Sequence, residues 1–123
     1  MIPRATKEAE KSSFPRTKVG AVITKGGRVL AVGHNQVRGY KSCPTDRVWK
    51  NSLHAEQDAI LKLLNKKKLA SLIGSTLHVS RIKKNGEPGL ACPCKTCQLL
   101  IDAVGIKVVY FTTNEGTTES YKP

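Results

Sequence analysis

No apolar run in this 123-residue chain approaches the roughly 18 residues that a membrane-spanning helix requires, which excludes a helical membrane protein. The opening stretch MIPRATKEAEKSS lacks the apolar centre and small-residue cleavage site of a secretory signal, so a cytoplasmic, reducing setting is expected. No internal repeat or low-complexity block interrupts the chain, and its length suits one domain, residues 1–123, better than two. Acidic side chains are scarce: 9 Asp and Glu face 21 Lys and Arg, a formal charge of +12. A field of that sign favours anionic partners, phosphates foremost. The basic residues are scattered, 11 in the first 50 positions and 10 in the rest. Their one dense run, Lys66, Lys67 and Lys68, ends a predicted helix, where lysines either complement the helix dipole or contact phosphate.

Cysteine is also sparse and unevenly placed. Three of the four stand in ACPCKTC, residues 91–97. In a reducing compartment such clustering points to metal ligands or catalytic groups and not to a disulfide framework.

An amphipathic helix is predicted over residues 3–11, with Pro3 suited to a helix start. KVGAVITK and RVLAVGHN read as two buried strands joined at Gly26 and Gly27. Residues 36–53 carry Gly, Pro, Ser and Asp without a period and read as a long loop, a kind that is often functional. HAEQDAILKLL places Ala55, Ala59 and Leu63 on one stripe, widened by Ile60 and Leu64, and forms a second helix. STLHVSRI then alternates as a strand, KKNGEPGLA is a loop, CKTCQLLIDAV is a third helix closed by Gly105, and IKVVYFTT is a fourth strand. After Asn114 the sequence carries no signal. This order implies helices packed on a central mixed sheet, with the third and fourth strands parallel.

Cys94 and Cys97 stand three apart near a helix start, so their sulfurs share a face and can meet one ion. With Pro93 at the first helical position, Cys92 becomes the N-cap and Cys94 falls in the first turn, where the positive end of the dipole favours thiolate. Further ligand candidates are Cys43, Cys92, His34, His54 and His78. His54 stands out because it opens a helix and Glu56 follows two residues later. In a regular helix those positions point apart; they converge only if His54 sits at the entrance. A His, Cys, Cys set gives a tetrahedral ion three ligands and leaves a fourth position for water, the catalytic pattern of zinc. A redox Cys-x-x-Cys lacks a thioredoxin-like context. A four-cysteine structural site would leave His54 and Glu56 without a task. His78 alternates with apolar neighbours, as a core or edge side chain would.

LHAEQDAI and PCKTC resemble the zinc motifs of the cytidine and deoxycytidylate deaminase superfamily, H-x-E and P-C-x-x-C. The likeness extends over most of the chain: FPRTKVGAVITKGGRVLAVGHN is similar to the family's first hairpin, and GIKVVYF to the strand after its third helix. The hairpin and Trp49, shortly before HAE, look most like deoxycytidylate deaminases. The resemblance implies a three-layer α/β/α fold around a mixed sheet and a Zn2+ cofactor. It also implies His54, Cys94 and Cys97 as zinc ligands, Glu56 as the acid/base, and Asn35 as a sugar contact. Against the family pattern, the loop before His54 is compressed, and the segment expected to complete the sheet is little more than NEGTTESYKP. The tryptophan of polynucleotide cytosine deaminases is missing upstream of the PC motif, and neither TAHAE nor EPC of the tRNA adenosine branch is present.

The implied reaction is hydrolysis of cytosine to uracil with release of ammonia, Glu56 carrying protons between water, ring N3 and the departing amine. Leu53, Ala55 and Ala59 would supply a dry flank that raises the carboxyl pKa, and Ala55 is small enough to let its backbone approach the base. Three functions compete. The preferred reading is deamination of a cytidine-type nucleotide such as dCMP. The second is deamination of cytosine in single-stranded DNA or RNA, favoured by the charge and by Tyr40 and Trp49 as stacking residues. The third, a non-catalytic zinc-stabilised nucleic-acid-binding module, leaves Glu56 unexplained. Homo-oligomerisation stays open.

Overall fold

The computed structural model describes residues 1–12, 17–37 and 52–123. Its elements run α1 (Ile2–Ala9), β1 (Thr17–Lys25), β2 (Arg28–His34), β3 (Gln36–Val37), β4 (Ser52–Leu53), α2 (Ala55–Asn65), α3 (Leu69–Leu72), β5 (Thr76–Lys83), β6 (Pro88–Gly89), α4 (Lys95–Ala103), β7 (Val108–Thr112) and β8 (Thr118–Tyr121). Gly26 and Gly27 hold φ at +59° and +79°, the left-handed pair that a two-residue hairpin turn demands between β1 and β2. The main sheet has the order β2-β1-β5-β7-β8, and β6 pairs with the far end of β5. β5 and β7 are parallel, as a strand–helix–strand crossover requires, while the other pairs are antiparallel.

Alternation along β1 separates the layers. Gly20 faces α1, where a Cβ would collide with the backbone of Ala5 and Ala9, both fully buried. Ala21 and Ile23 face the other way, into the core shared with α2 and α4. Gly33, paired with Ala21, meets α2: a Cβ there would lie 2.5 Å from the Ala55 carbonyl oxygen and 2.6 Å from the Ala59 nitrogen. Helices therefore cover both faces of a mixed sheet, which is the expected three-layer α/β/α architecture. On the α2 side, Ile23, Ile60, Leu77, Val79, Ile101 and Val109 are completely buried, each contributing about 1.5–3 kcal/mol of transfer free energy.

Five expectations change. Within the stretch 36–53, read as a loop, Gln36–Val37 and Ser52–Leu53 pair antiparallel as β3 and β4. β2 is an edge strand of the described sheet with only Gly33 buried, because α2 packs against one end of it and no described strand lies beyond. The glycine-rich stretch after β5 folds back as β6 through a turn at Gly86, φ +87°. The segment after Asn114 forms β8, returning antiparallel along β7 through Gly116, φ +82°. Finally, α4 begins at Lys95 with Cys94 as its N-cap, so Pro93 precedes the helix and Cys92 does not cap it. Cys94 has extended backbone, φ −68° and ψ 167°, and its carbonyl accepts the Gln98 N–H at 2.8 Å. Gly105, φ +84°, ends α4 as expected, with Gly105 N–H bonded to Asp102 O and Ile106 N–H to Ile101 O.

Candidate active site

His54 is the N-cap of α2, with extended backbone at φ −75° and ψ 153°. Gln57 Oε1 accepts its N–H at 2.9 Å, holding the backbone at the entrance while the ring leaves the helical register. Glu56 lies in the first turn, 5 % exposed. His54 and Glu56 consequently line one cavity although they are only two residues apart.

The other two donors come from the N-cap and first turn of α4. His54 Nδ1 is 3.2 Å from Cys97 Sγ and 3.5 Å from Cys94 Sγ, and the three donor atoms lie within 4.8 Å of one another. Tetrahedral zinc, with Zn–N near 2.0 Å and Zn–S near 2.3 Å, holds such donors about 3.5–3.8 Å apart, so these residues fit the ion. Burial, then the charges of Glu56 and Cys94, pushes the Cys97 thiol far up. A divalent cation among the donors inverts that preference and makes the thiolates the stable form. The N-termini of α2 and α4 aim their positive dipole ends at the same place.

Burial pushes the Glu56 carboxyl up to about 7, against a smaller opposing effect of its own backbone N–H. The dry flank of Leu53, Ala55 and Ala59 is present, all three buried. The cavity holds about 390 Å3, within the usual small-ligand range of roughly 300–1,000 Å3. Asn35 lines it too, but with its amide engaged: Oδ1 accepts the Val19 N–H and Nδ2 donates to Thr17 O, each at 2.9 Å.

Strand parity disposes of the other histidines. His34 pairs with Gly20 and His78 with Val22, both on the α1 face, away from the cysteines. His34 Nδ1 meets Glu8 Oε2 at 3.0 Å, and His78 meets Thr24 Oγ1 at 3.1 Å while stacking on Tyr110 at 5.3 Å. Cys92 lines the cavity without joining the three-donor cluster. Cys43, Tyr40 and Trp49 lie outside the described residues.

Sequence reasoning missed two supporting groups. Gln57 sits three residues after the N-cap, the place of the reciprocal partner in a capping box, and that spacing was a usable signal. Asp58, 5 % exposed, accepts the His34 N–H at 3.2 Å and Gln36 Nε2 at 3.0 Å, tying α2 to the end of β2 and the start of β3. An acid in a helical first turn reads as an ordinary dipole partner, so nothing in the sequence singled it out.

Three nitrogen and sulfur donors that leave water a coordination position, beside a carboxyl able to carry its proton, are the parts of a zinc-dependent hydrolytic deaminase. The family model of the cytidine and deoxycytidylate deaminase zinc-binding region matches residues 1–113, and the chain belongs to that family. It is 33 % identical to a deoxycytidylate deaminase of Mycobacterium phage D29, with 86 % of this chain and 87 % of that protein covered. The crystal structure of the dCMP deaminase of cyanophage S-TIM5 superposes with a TM-score of 0.67 at 30 % identity, over 91 % of this chain and 79 % of that one. A cytidine deaminase from Burkholderia pseudomallei shares the fold, with a TM-score of 0.70 at 20 % identity over 98 % and 88 % of the two chains. No described helix is long and apolar enough to cross a membrane.

Proposed function

We propose that this chain, as one domain, converts dCMP to dUMP and ammonia, with His54, Cys94 and Cys97 holding zinc and Glu56 moving the protons. The observation that carries the reading is the cluster of three donors within 4.8 Å of one another, with the buried Glu56 on the wall of the cavity that His54 and Cys94 also line. Held by His54, Cys94 and Cys97, zinc would supply a water acidified towards neutrality. Glu56 would take a proton from that water as its oxygen adds to C4 and deliver it to ring N3, then pass the proton of the new C4 hydroxyl to the amine, which leaves as ammonia while the C4 carbonyl forms. Ala55, fully buried beside Glu56, has no side chain beyond Cβ to keep the base from the helix backbone. Asn35 retains one Nδ2 hydrogen and one Oδ1 lone pair for a sugar hydroxyl after its two bonds to β1. The nucleotide substrate is supported by the likeness to deoxycytidylate deaminases.

The test compares wild type with Glu56→Gln. The variant should keep full zinc content and its fold, while ammonia release from dCMP falls at least about 100-fold, as loss of an acid/base group does. Surviving activity, or zinc loss in the variant, would overturn the assignment. Rapid uracil formation in a single-stranded oligonucleotide with none from dCMP would transfer the reading to polynucleotides, the substrate that the +12 charge favours.

A further inference from the structure

Arg81 breaks the pattern of its own strand. Along β5 the residues facing α2 are Leu77, Val79 and Arg81, paired with Ile23, Ala21 and Val19 of β1. The first two are completely buried core, and the third is a cation on the wall of the cavity that Glu56, His54 and Cys94 also line. Its placement is built in: Arg81 pairs with Gly89, where a Cβ would come within 3.1 Å of Arg81 Cδ and 3.2 Å of Cγ. A larger residue at 89 would press on the arginine stem and oblige it to shift.

The guanidinium is poorly satisfied for such a site. Nη1 reaches Leu90 O and Nη2 reaches Thr17 Oγ1, both at 3.4 Å, and Nε is buried with no partner among the described residues. An arginine carries five N–H donors, and leaving them short in a partly dry cavity is costly. No described carboxylate forms an ion pair with it. A planar fork of donors is the group that takes phosphate oxygens in pairs.

We propose that Arg81 is a specificity-determining residue that binds the 5′-phosphate of the substrate, so that the cavity selects nucleoside monophosphates over nucleosides. This rests on the nucleotide-deaminase reading above and extends it to the group that recognises the phosphate. The base end of the ligand belongs at Glu56, and Arg81 lies on the same cavity wall system as Thr17 and Leu90.

The experiment measures dUMP and deoxyuridine binding to the zinc-loaded protein by calorimetry, which needs no turnover. Wild type should prefer dUMP by about 30-fold or more, the scale of a paired charge-assisted contact. In Arg81→Met, which keeps the stem, that ratio should collapse, and Arg81→Lys should restore part of it. With dCMP the Arg81→Met defect should fall on KM more than on kcat. Equal weakening of both ligands, leaving the ratio intact, would make Arg81 a structural clamp and overturn the proposal; so would a wild type indifferent to the phosphate. The two readings fail separately. If dCMP is not deaminated yet the dUMP preference exists and is lost in Arg81→Met, the deaminase reading falls and Arg81 stands. If deoxycytidine and dCMP react equally well, the reverse holds.

Discussion

His54 and Cys94 occupy the same place in two different helices. Each is an N-cap residue with extended backbone, His54 at φ −75° and ψ 153° and Cys94 at φ −68° and ψ 167°, and their donor atoms approach to 3.5 Å. An N-cap side chain is not yet committed to the helical spiral, so it can turn towards a point in front of the helix end. A residue in the first turn of the same helix then shares that point: Glu56 behind His54, Cys97 behind Cys94. The repeated arrangement explains how H-x-E and C-x-x-C, with different spacings, converge.

Cys97 is completely buried, and its replacement by serine exchanges a proposed metal ligand for a hydroxyl. Cys97→Ser should lose most of its zinc and melt well below wild type, because metal binding and folding are linked. A chelator should bring wild type close to the melting temperature of the variant and leave the variant almost unmoved. Retention of stoichiometric zinc in Cys97→Ser, by elemental analysis, would contradict its role as ligand.

Gly33 allows α2 to lie directly against β2. A methyl group there meets the Ala55 carbonyl and the Ala59 nitrogen, both backbone atoms that cannot rotate away. Gly33→Ala should therefore push the first turn of α2 off the sheet, at about 1–3 kcal/mol, the usual cost of overpacking. Since that turn carries Glu56 and follows His54, zinc affinity should fall with stability. Denaturant unfolding and a zinc titration read the two effects, and an unchanged zinc affinity would separate the helix position from the site.

The donor set was legible because it depends on residue type and helix-entrance logic, which are local. The α2 cap at His54, the hairpin at Gly26 and Gly27, and the parallel β5–β7 pair follow from short-range rules as well. What escaped was decided by distant partners. β8 has little apolar content and exists because β7 offers an unpaired edge. The first turn of α4 looked as if it should start at Pro93, but Cys94 stays extended, its sulfur directed at His54. Arg81 continues an alternating strand in sequence, and only the pairing with Gly89 and Val19 shows that it faces the cavity.

His78 lies between Thr24 and Tyr110, and burial, aided by the nearby N-terminal charge, pushes its pKa down to about 4. A depressed histidine opposes proton uptake by the folded chain. Between pH 6.5 and 4 the unfolded chain binds the proton and the folded one does not, so stability is full above about 6.5 and falls as pH drops. His78→Gln, which retains a partner for Thr24, should show a flatter melting temperature over that interval. Parallel pH profiles of the two proteins would show that His78 is not the titrating group.

Lys67 is the described non-glycine residue with left-handed backbone, at φ +59°. It sits just past α2, where Lys67 N–H bonds Leu64 O and Lys68 N–H bonds Leu63 O at 2.9 Å each, the pattern of a helix that ends in a glycine. A lysine there bears a steric cost of about 1–2 kcal/mol that glycine avoids, offset in part by the greater freedom of glycine in the unfolded chain. Lys67→Gly should accordingly raise stability by about 0.5–1 kcal/mol, the usual scale of such backbone changes. The same variant weighs the two readings of the lysine run, helix ending against phosphate contact. With dCMP, kcat/KM should match wild type and its salt dependence should not change. A lower melting temperature would refute the backbone argument, and a selective loss of oligonucleotide binding would give the lysine a phosphate after all.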